Sequence, residues 1–138
     1  MIVLVKANVL AVGLGDKSKS LRQLPIRVID FSSSVEARGS FKNEEIDSII
    51  SHWDLPDGPD GNFLKLIRCI KPDLPIIALV EPGNTGQEIS ARSIGANVVI
   101  SSDVSDEYFR CVVAEVLGLG DVEEIEQICA AADEVKEC

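Results

Sequence analysis

The chain has 138 residues, 46% of them hydrophobic, enough to close one core of ordinary size and little more. Its 23 acidic residues outnumber 13 basic ones, giving a formal net charge of −10 and a pI of about 4.5. Such a surface repels phosphate backbones and anionic lipid, so neither nucleic acid nor a membrane is expected as a direct partner.

No run reaches the roughly 18 uninterrupted apolar residues that a bilayer span needs. The opening Met1-Ile2-Val3-Leu4-Val5-Lys6 has no cationic start and no small-residue cleavage site, so a cytoplasmic protein is expected. The cysteines Cys69, Cys111, Cys129 and Cys138 form no C-x-x-C pair, and His52 is the only histidine. Reduced, mostly buried thiols are therefore expected, with no metal site and no cofactor.

Short apolar runs alternate with amphipathic stretches, as when strands and helices take turns around a parallel sheet. The first strand is expected within Val3–Leu14 and the second at Ile26–Phe31, after a helix spanning Lys17–Leu24 that Pro25 closes. The third is Ile46–Ser51, running into the turn Leu55-Pro56-Asp57-Gly58; the fourth is Pro75–Val80 and the fifth Asn97–Ser101. The early helices are short and weak. Later ones have clear ends: Gly61–Ile70 stops before Pro72, Thr85–Ile94 ends at Gly95, and Asp103–Leu117 opens on an acidic turn. β-Branched strands joined by helical crossovers must be covered on both faces, which predicts a doubly wound α/β sandwich.

A domain spanning 1–119 is followed by a segment, 120–138, with its own pattern. Val122, Ile125, Ile128, Cys129, Ala132 and Val135 recur at three- and four-residue steps, one stripe of an additional helix. Residues 121–138 hold seven acids and one base, a net of −6 that leaves −4 for the first 120 residues. This stripe folds back on the domain, pairs with a second copy to make a homodimer, or leads into an effector domain; the last two are favoured because the sheet is already covered. A chain stopping at Cys138 in mid-helix reads as cut from something longer.

The middle of the chain resembles the receiver domain of bacterial response regulators. The likeness rests on "LPDG", "GNFLKLIRCIKPDLPIIALVE" and "ARSIGANVVIS", in that order between Ile46 and Leu117. It implies a flavodoxin-like fold with a five-stranded parallel sheet in the order 2-1-3-4-5, flanked by five helices. It also implies phosphoryl transfer to an aspartate, with an acidic pair for magnesium, a hydroxyl and a lysine nearby. Placed on the family's pattern, every such position departs. His52 stands where the acceptor aspartate belongs, Gly13 and Leu14 where the acidic pair belongs, Val80 in place of the hydroxyl, Ser102 in place of the lysine, and Val99 in place of the strand's aromatic. A valine cannot donate a hydrogen bond to a phosphoryl oxygen.

Each residue so singled out has a sharper and a plainer reading. His52 is a phosphoacceptor or a pH-sensitive switch, or a half-buried imidazole bonded to Asp54 or Ser51. Asp54 and Asp57 are a displaced phosphorylation site, or structural. The loop Glu81–Gly86 cradles an anion, or is a turn with Thr85 as helix cap. Trp53 is an exposed anchor for a partner, or packs on the Pro56 loop. The expectation is a pseudo-receiver, not an enzyme, which works without phosphorylation by docking a signalling protein or effector domain. The resemblance places that surface near Arg92, Val99 and Tyr108. The alternative is a small-molecule or anion-binding domain using the loop after the fourth strand.

Overall fold

Five apolar runs form one parallel sheet: β1 (Ala7–Val12), β2 (Ile26–Phe31), β3 (Ser48–His52), β4 (Ile76–Val80) and β5 (Val98–Ser101). The computed structural model describes residues 7–118. The strand order is β2-β1-β3-β4-β5, as expected. Strand β1 pairs from Ala7↔Ile26 to Val12↔Phe31, and β3 pairs with β4 from Ile49↔Ile76 to His52↔Leu79. The additional C-terminal helix expected over 120–138 lies outside the described residues.

Because side chains alternate across a strand, each strand feeds two cores. On one face Leu10, Val12, Ile49, Ile76, Ala78 and Val80 meet α1 (Ser34–Asn43), α2 (Asn62–Ile70) and α3 (Thr85–Ser93) through Phe41, Phe63, Leu64, Ile67 and Ala91. On the other, Val9, Ala11, Ile50, Ile77 and Leu79 meet a 3-10 segment (Gly15–Gln23) and α4 (Asp106–Leu117) through Leu21, Phe109, Val112 and Val113. This double coverage is what an all-parallel sheet requires.

Differences from the expected elements have local causes. The helix expected at Lys17–Leu24 is a 3-10 segment, because the hydroxyls of Ser18 and Ser20 bond the carbonyls of Gly15 and Lys17, three residues back, at 3.0 and 2.7 Å. Strand β3 starts and ends later than expected: Asp47 is held across the strand start by the Asn8 amide (2.7 Å to its carboxylate), while His52 still pairs with Leu79. Two helices start one and three residues later than expected, after caps at Gly61 and Ser105, while α3 starts at Thr85 as expected and ends one residue early, at Ser93. Cys69 is a free, exposed thiol, and Cys111 is buried and disulfide-bonded, which corrects the expectation of buried, reduced cysteines at both.

Two further side chains fix the frame. At the amino edge of the sheet the Arg68 guanidinium donates to the carbonyls of Lys71, Pro72, Leu74 and Gly95 (3.3, 2.6, 2.8 and 2.7 Å), tying the end of α2 to the start of β4 and β5. At the carboxyl edge Trp53 is 3% exposed and packs flat against Gly61. The loop backbone closes behind it, with the Gly61 amide donating to the Trp53 carbonyl at 3.1 Å, and Lys65 Nζ stands 5.7 Å from the ring centre.

At Gly61, φ is +72° and an added Cβ would lie 2.3 Å from the indole. Gly61→Ala combines a left-handed backbone penalty with overpacking and is expected to destabilise the domain by about 3 kcal/mol. Urea unfolding of the two proteins checks this; an unchanged midpoint would show that the loop relaxes freely.

Candidate functional site

Parallel strands deliver their last residues to one edge, where folds of this class bind ligands. Here the edge gathers Gly13 and Leu14 from β1, Asp30 from β2, His52 to Asp54 from β3, Val80 and Glu81 from β4, and Ser101 and Ser102 from β5.

The β1 end is apolar. Gly13 has φ +70°, and a Cβ there would lie 2.7 Å from Leu55 Cδ2, so the Leu55 side chain occupies the space that a longer residue would need. Leu55 is buried, and Leu14 turns into the core shared with α4. At the β4 end Val80 is buried among apolar neighbours. At the β5 end the Ser102 amide donates to the Val80 carbonyl (2.9 Å), and the Ser101 hydroxyl donates to the Asp103 carboxylate.

Between these ends lies a ring of polar contacts. His52 Nδ1 is 3.2 Å from the Asp54 carbonyl oxygen, and its Nε2 is 3.5 Å from Glu81 Oε1. The Glu81 backbone N–H donates to Gln87 Oε1 (2.8 Å), and Gln87 Nε2 donates to the Asp54 carboxylate (2.8 Å). The other Asp54 oxygen accepts the Asp60 N–H at 2.7 Å. One side chain from the first turn of α3 thus bridges the loops after β3 and β4. Of the two readings of His52, the bond to Asp54 is present, through the backbone carbonyl; the Ser51 hydroxyl instead donates to the His52 carbonyl (2.9 Å).

Asp57 is structural. Its carboxylate accepts the N–H groups of Ser34 (2.9 Å) and Val35 (3.1 Å), capping α1 from a loop 22 residues away. The Ser34 amide, with Val35 behind it, holds the Asp57 carboxyl below the usual carboxylate range. Ser33 caps the same turn, its hydroxyl accepting the Glu36 N–H at 3.4 Å and donating to the Glu36 carboxylate at 3.2 Å.

Several sequence expectations are corrected. Trp53 is not an exposed anchor: its indole fills the space above Gly61, and exposure would open the α2 face of the core. Thr85 is not the cap of α3; Asn84 is, accepting the Gln87 N–H at 3.0 Å. The loop after β4 borders a cavity of about 150 Å³ lined by Glu81 and Glu88, too small for a nucleotide and of the wrong charge for an anion. Arg92 is exposed and paired with Glu88 (3.0 Å), while Val99 and Tyr108 are half-buried on the α3 and α4 sides of edge strand β5. Sequence reading missed Gln87 as a bridging residue; the spacing Asn84-x-x-Gln87 was the available signal.

A second cavity, about 560 Å³, is lined by Gly13, Asp30, Glu36, Asp54 and Leu55 among others. The magnesium that this class of fold implies does not fit the residues present. The β1 end supplies no carboxylate, Leu55 occupies its place, and both Asp54 oxygens are engaged. Among the described residues no group of three His, Cys, Asp or Glu side chains could hold a metal ion. Nor is any helix there long and apolar enough to cross a membrane.

No protein-family model matches the chain. The fold is that of response-regulator receiver domains: a CheY-like receiver domain protein from Methanospirillum hungatei superposes with a TM-score of 0.72, at 17% identity, over 88% of this chain and 97% of its own. The non-phosphorylated HemR receiver domain of Leptospira biflexa gives 0.73 at 23% identity, over 83% of this chain and 97% of its own. The receiver domain of a sensor histidine kinase from Pseudomonas aeruginosa, with magnesium coordinated in its active-site cleft, gives 0.70 at 20% identity, over 81% and 98%. In sequence the chain is similar to the chemotaxis protein CheY homolog of Campylobacter jejuni, 29% identical over 81 residues, which are 57% of this chain and 62% of that protein. The chain therefore spans less than two thirds of the curated relatives it matches. Fold and sequence likeness together support a CheY-like receiver domain.

The Asp57 cap sets a pH dependence. With its carboxyl held below the usual range in the folded state, Asp57 contributes stability that is present above the unfolded-state value and lost as pH falls through the folded one. Urea midpoints measured between pH 2 and 6 are expected to fall less steeply for Asp57→Asn than for the parent chain; parallel curves would remove the cap from the account.

Proposed function

We propose that this chain is an atypical receiver module of two-component signalling that works without aspartyl phosphorylation, by presenting a surface to a signalling protein or effector domain. The observation that carries the reading is which residues stand at the carboxyl edge of the sheet. Where the Pseudomonas aeruginosa receiver coordinates magnesium in a cleft, this chain has Gly13 under the Leu55 side chain and His52 at the end of β3. A carboxylate nucleophile and cation-holding acids are needed together for phosphoryl transfer, and an imidazole beside a leucine supplies neither. The polar groups left at the edge satisfy one another through Gln87.

The docking surface in this reading is the flank made by α3, edge strand β5 and α4. It offers Arg92 and the half-buried Val99 and Tyr108, a mixed polar and apolar patch of the kind used in regulatory contacts. The acidic surface of the protein disfavours nucleic acid as the direct partner.

Incubation of the full chain with magnesium and acetyl phosphate, or with beryllofluoride, tests the proposal. Intact mass is expected to stay unchanged, as is the emission of Trp53, the only tryptophan and the neighbour of His52. A stoichiometric adduct on Asp54, or a magnesium-dependent spectral change, would overturn it.

A further inference from the structure

The two ring nitrogens of His52 face two acceptors: the Asp54 carbonyl oxygen, 3.2 Å from Nδ1, and the Glu81 carboxylate, 3.5 Å from Nε2. A neutral imidazole has one N–H and one lone pair, so in either tautomer it can donate to only one of these, and its lone pair confronts the other. The imidazolium donates to the Asp54 carbonyl and carries the charge that makes the Glu81 contact an ion pair. Protonation therefore adds an ion pair with Glu81 to the Asp54 contact that the neutral ring can already make.

The same two acceptors belong to a larger unit. Glu81 is held by Gln87 through its backbone N–H, and Asp54 is held by Gln87 through its carboxylate, so His52, Glu81, Gln87 and Asp54 close on one another. Gln87 lies in the first turn of α3, the helix that carries Arg92. The charged groups around the ring are mostly acids. Asp54 comes from the loop after β3 and Glu81 from the end of β4, while Asp30, Glu36 and Glu88 line the two neighbouring cavities. Arg92 is taken up by Glu88, and the β1 side offers only Gly13 beside His52. Among the described residues no lysine or arginine pairs with the ring or with Glu81.

We propose that this edge reads a proton where receivers read a phosphoryl group. Protonation of His52 completes the ring of contacts and fixes the first turn of α3 to the loop after β3; deprotonation breaks one contact and loosens that turn. The sign follows from the acceptors: the closed arrangement is favoured at pH values where imidazoles carry a proton, and opens as pH rises through that range. At still lower pH, protonation of Glu81 removes the ion pair. The proposal rests on the reading of His52 as holding the acceptor's place without phosphoryl transfer. That reading fails on an aspartyl adduct, whereas the proton switch fails on the measurements below.

His52 is the only histidine in the chain, so its ring signals in NMR are assigned without ambiguity. On the full chain between pH 7.5 and 5.5, the backbone amides of Glu81, Gln87 and Asp60 are expected to shift with the same midpoint as the ring. Hydrogen exchange of the Glu81 amide, corrected for its intrinsic rate, is expected to slow about threefold or more as pH falls. Glu81→Gln, at a side chain 57% exposed and therefore tolerant of change, is expected to keep the fold and abolish that slowing; His52→Gln is expected to make it flat as well. A ring that titrates while those three amides stay silent would overturn the proposal, as would slowing that survives in Glu81→Gln.

Discussion

The flat contact between the Trp53 indole and Gly61 governs the carboxyl edge. It brings the two ends of a nine-residue loop together, with the Gly61 amide bonded to the Trp53 carbonyl. The loop between must then point its side chains at other elements. Leu55 covers Gly13 at the end of β1, Asp57 caps α1, and Asp54 meets Gln87 of α3. Three neighbours are set by one loop, and the loop is set by one ring packed where only a glycine fits. The proposed surface and the proposed proton site both depend on that arrangement, because Asp54 is the member of the polar ring that the loop supplies.

The two edges of the sheet are held by opposite chemistry. At the amino edge a single guanidinium, Arg68, gathers carbonyl oxygens from three chain segments, the use to which a planar, many-donor cation is suited. At the carboxyl edge carboxylates and an amide gather N–H groups, at Asp57, Asp54 and Gln87. In a parallel α/β sheet the helices end at the amino edge and begin at the carboxyl edge, so helix-end carbonyls collect at the first and helix-start N–H groups at the second, and each edge carries side chains matched to them.

Much of the architecture was legible in the sequence, for identifiable reasons. Strand β2 falls at Ile26–Phe31 as read, and β4 differs only in that Pro75, which has no N–H, stays outside it. The left-handed turn at Gly95 was marked by its position after an amphipathic run. The 3-10 geometry of Gly15–Gln23 was not legible, because it depends on serine hydroxyls choosing carbonyls three residues back rather than water. At the site, Gly13, Leu14 and His52 stood in the sequence as non-acidic residues at the strand ends, and the resemblance pointed to them. The burial of Trp53 could not, since its partner is the absence of a side chain at Gly61, and a missing atom leaves no hydrophobic signal. The bridging role of Gln87 was also hidden, because an exposed-looking glutamine on a short helix gains its meaning only from loops more than 30 residues away in sequence at Asp54.

The Leu55 side chain over Gly13 constrains what single substitutions at this edge can achieve. A carboxylate at position 13 would need a left-handed backbone and the space that Leu55 occupies, so the change is unfavourable unless Leu55 shrinks first. Shrinking Leu55 alone opens a void beside a core that has no cation to fill it. Exchanging His52 for aspartate alone places a carboxylate beside Glu81 and Asp54 with no opposing charge. Each single change towards a cation-binding edge is disfavoured before the others are in place.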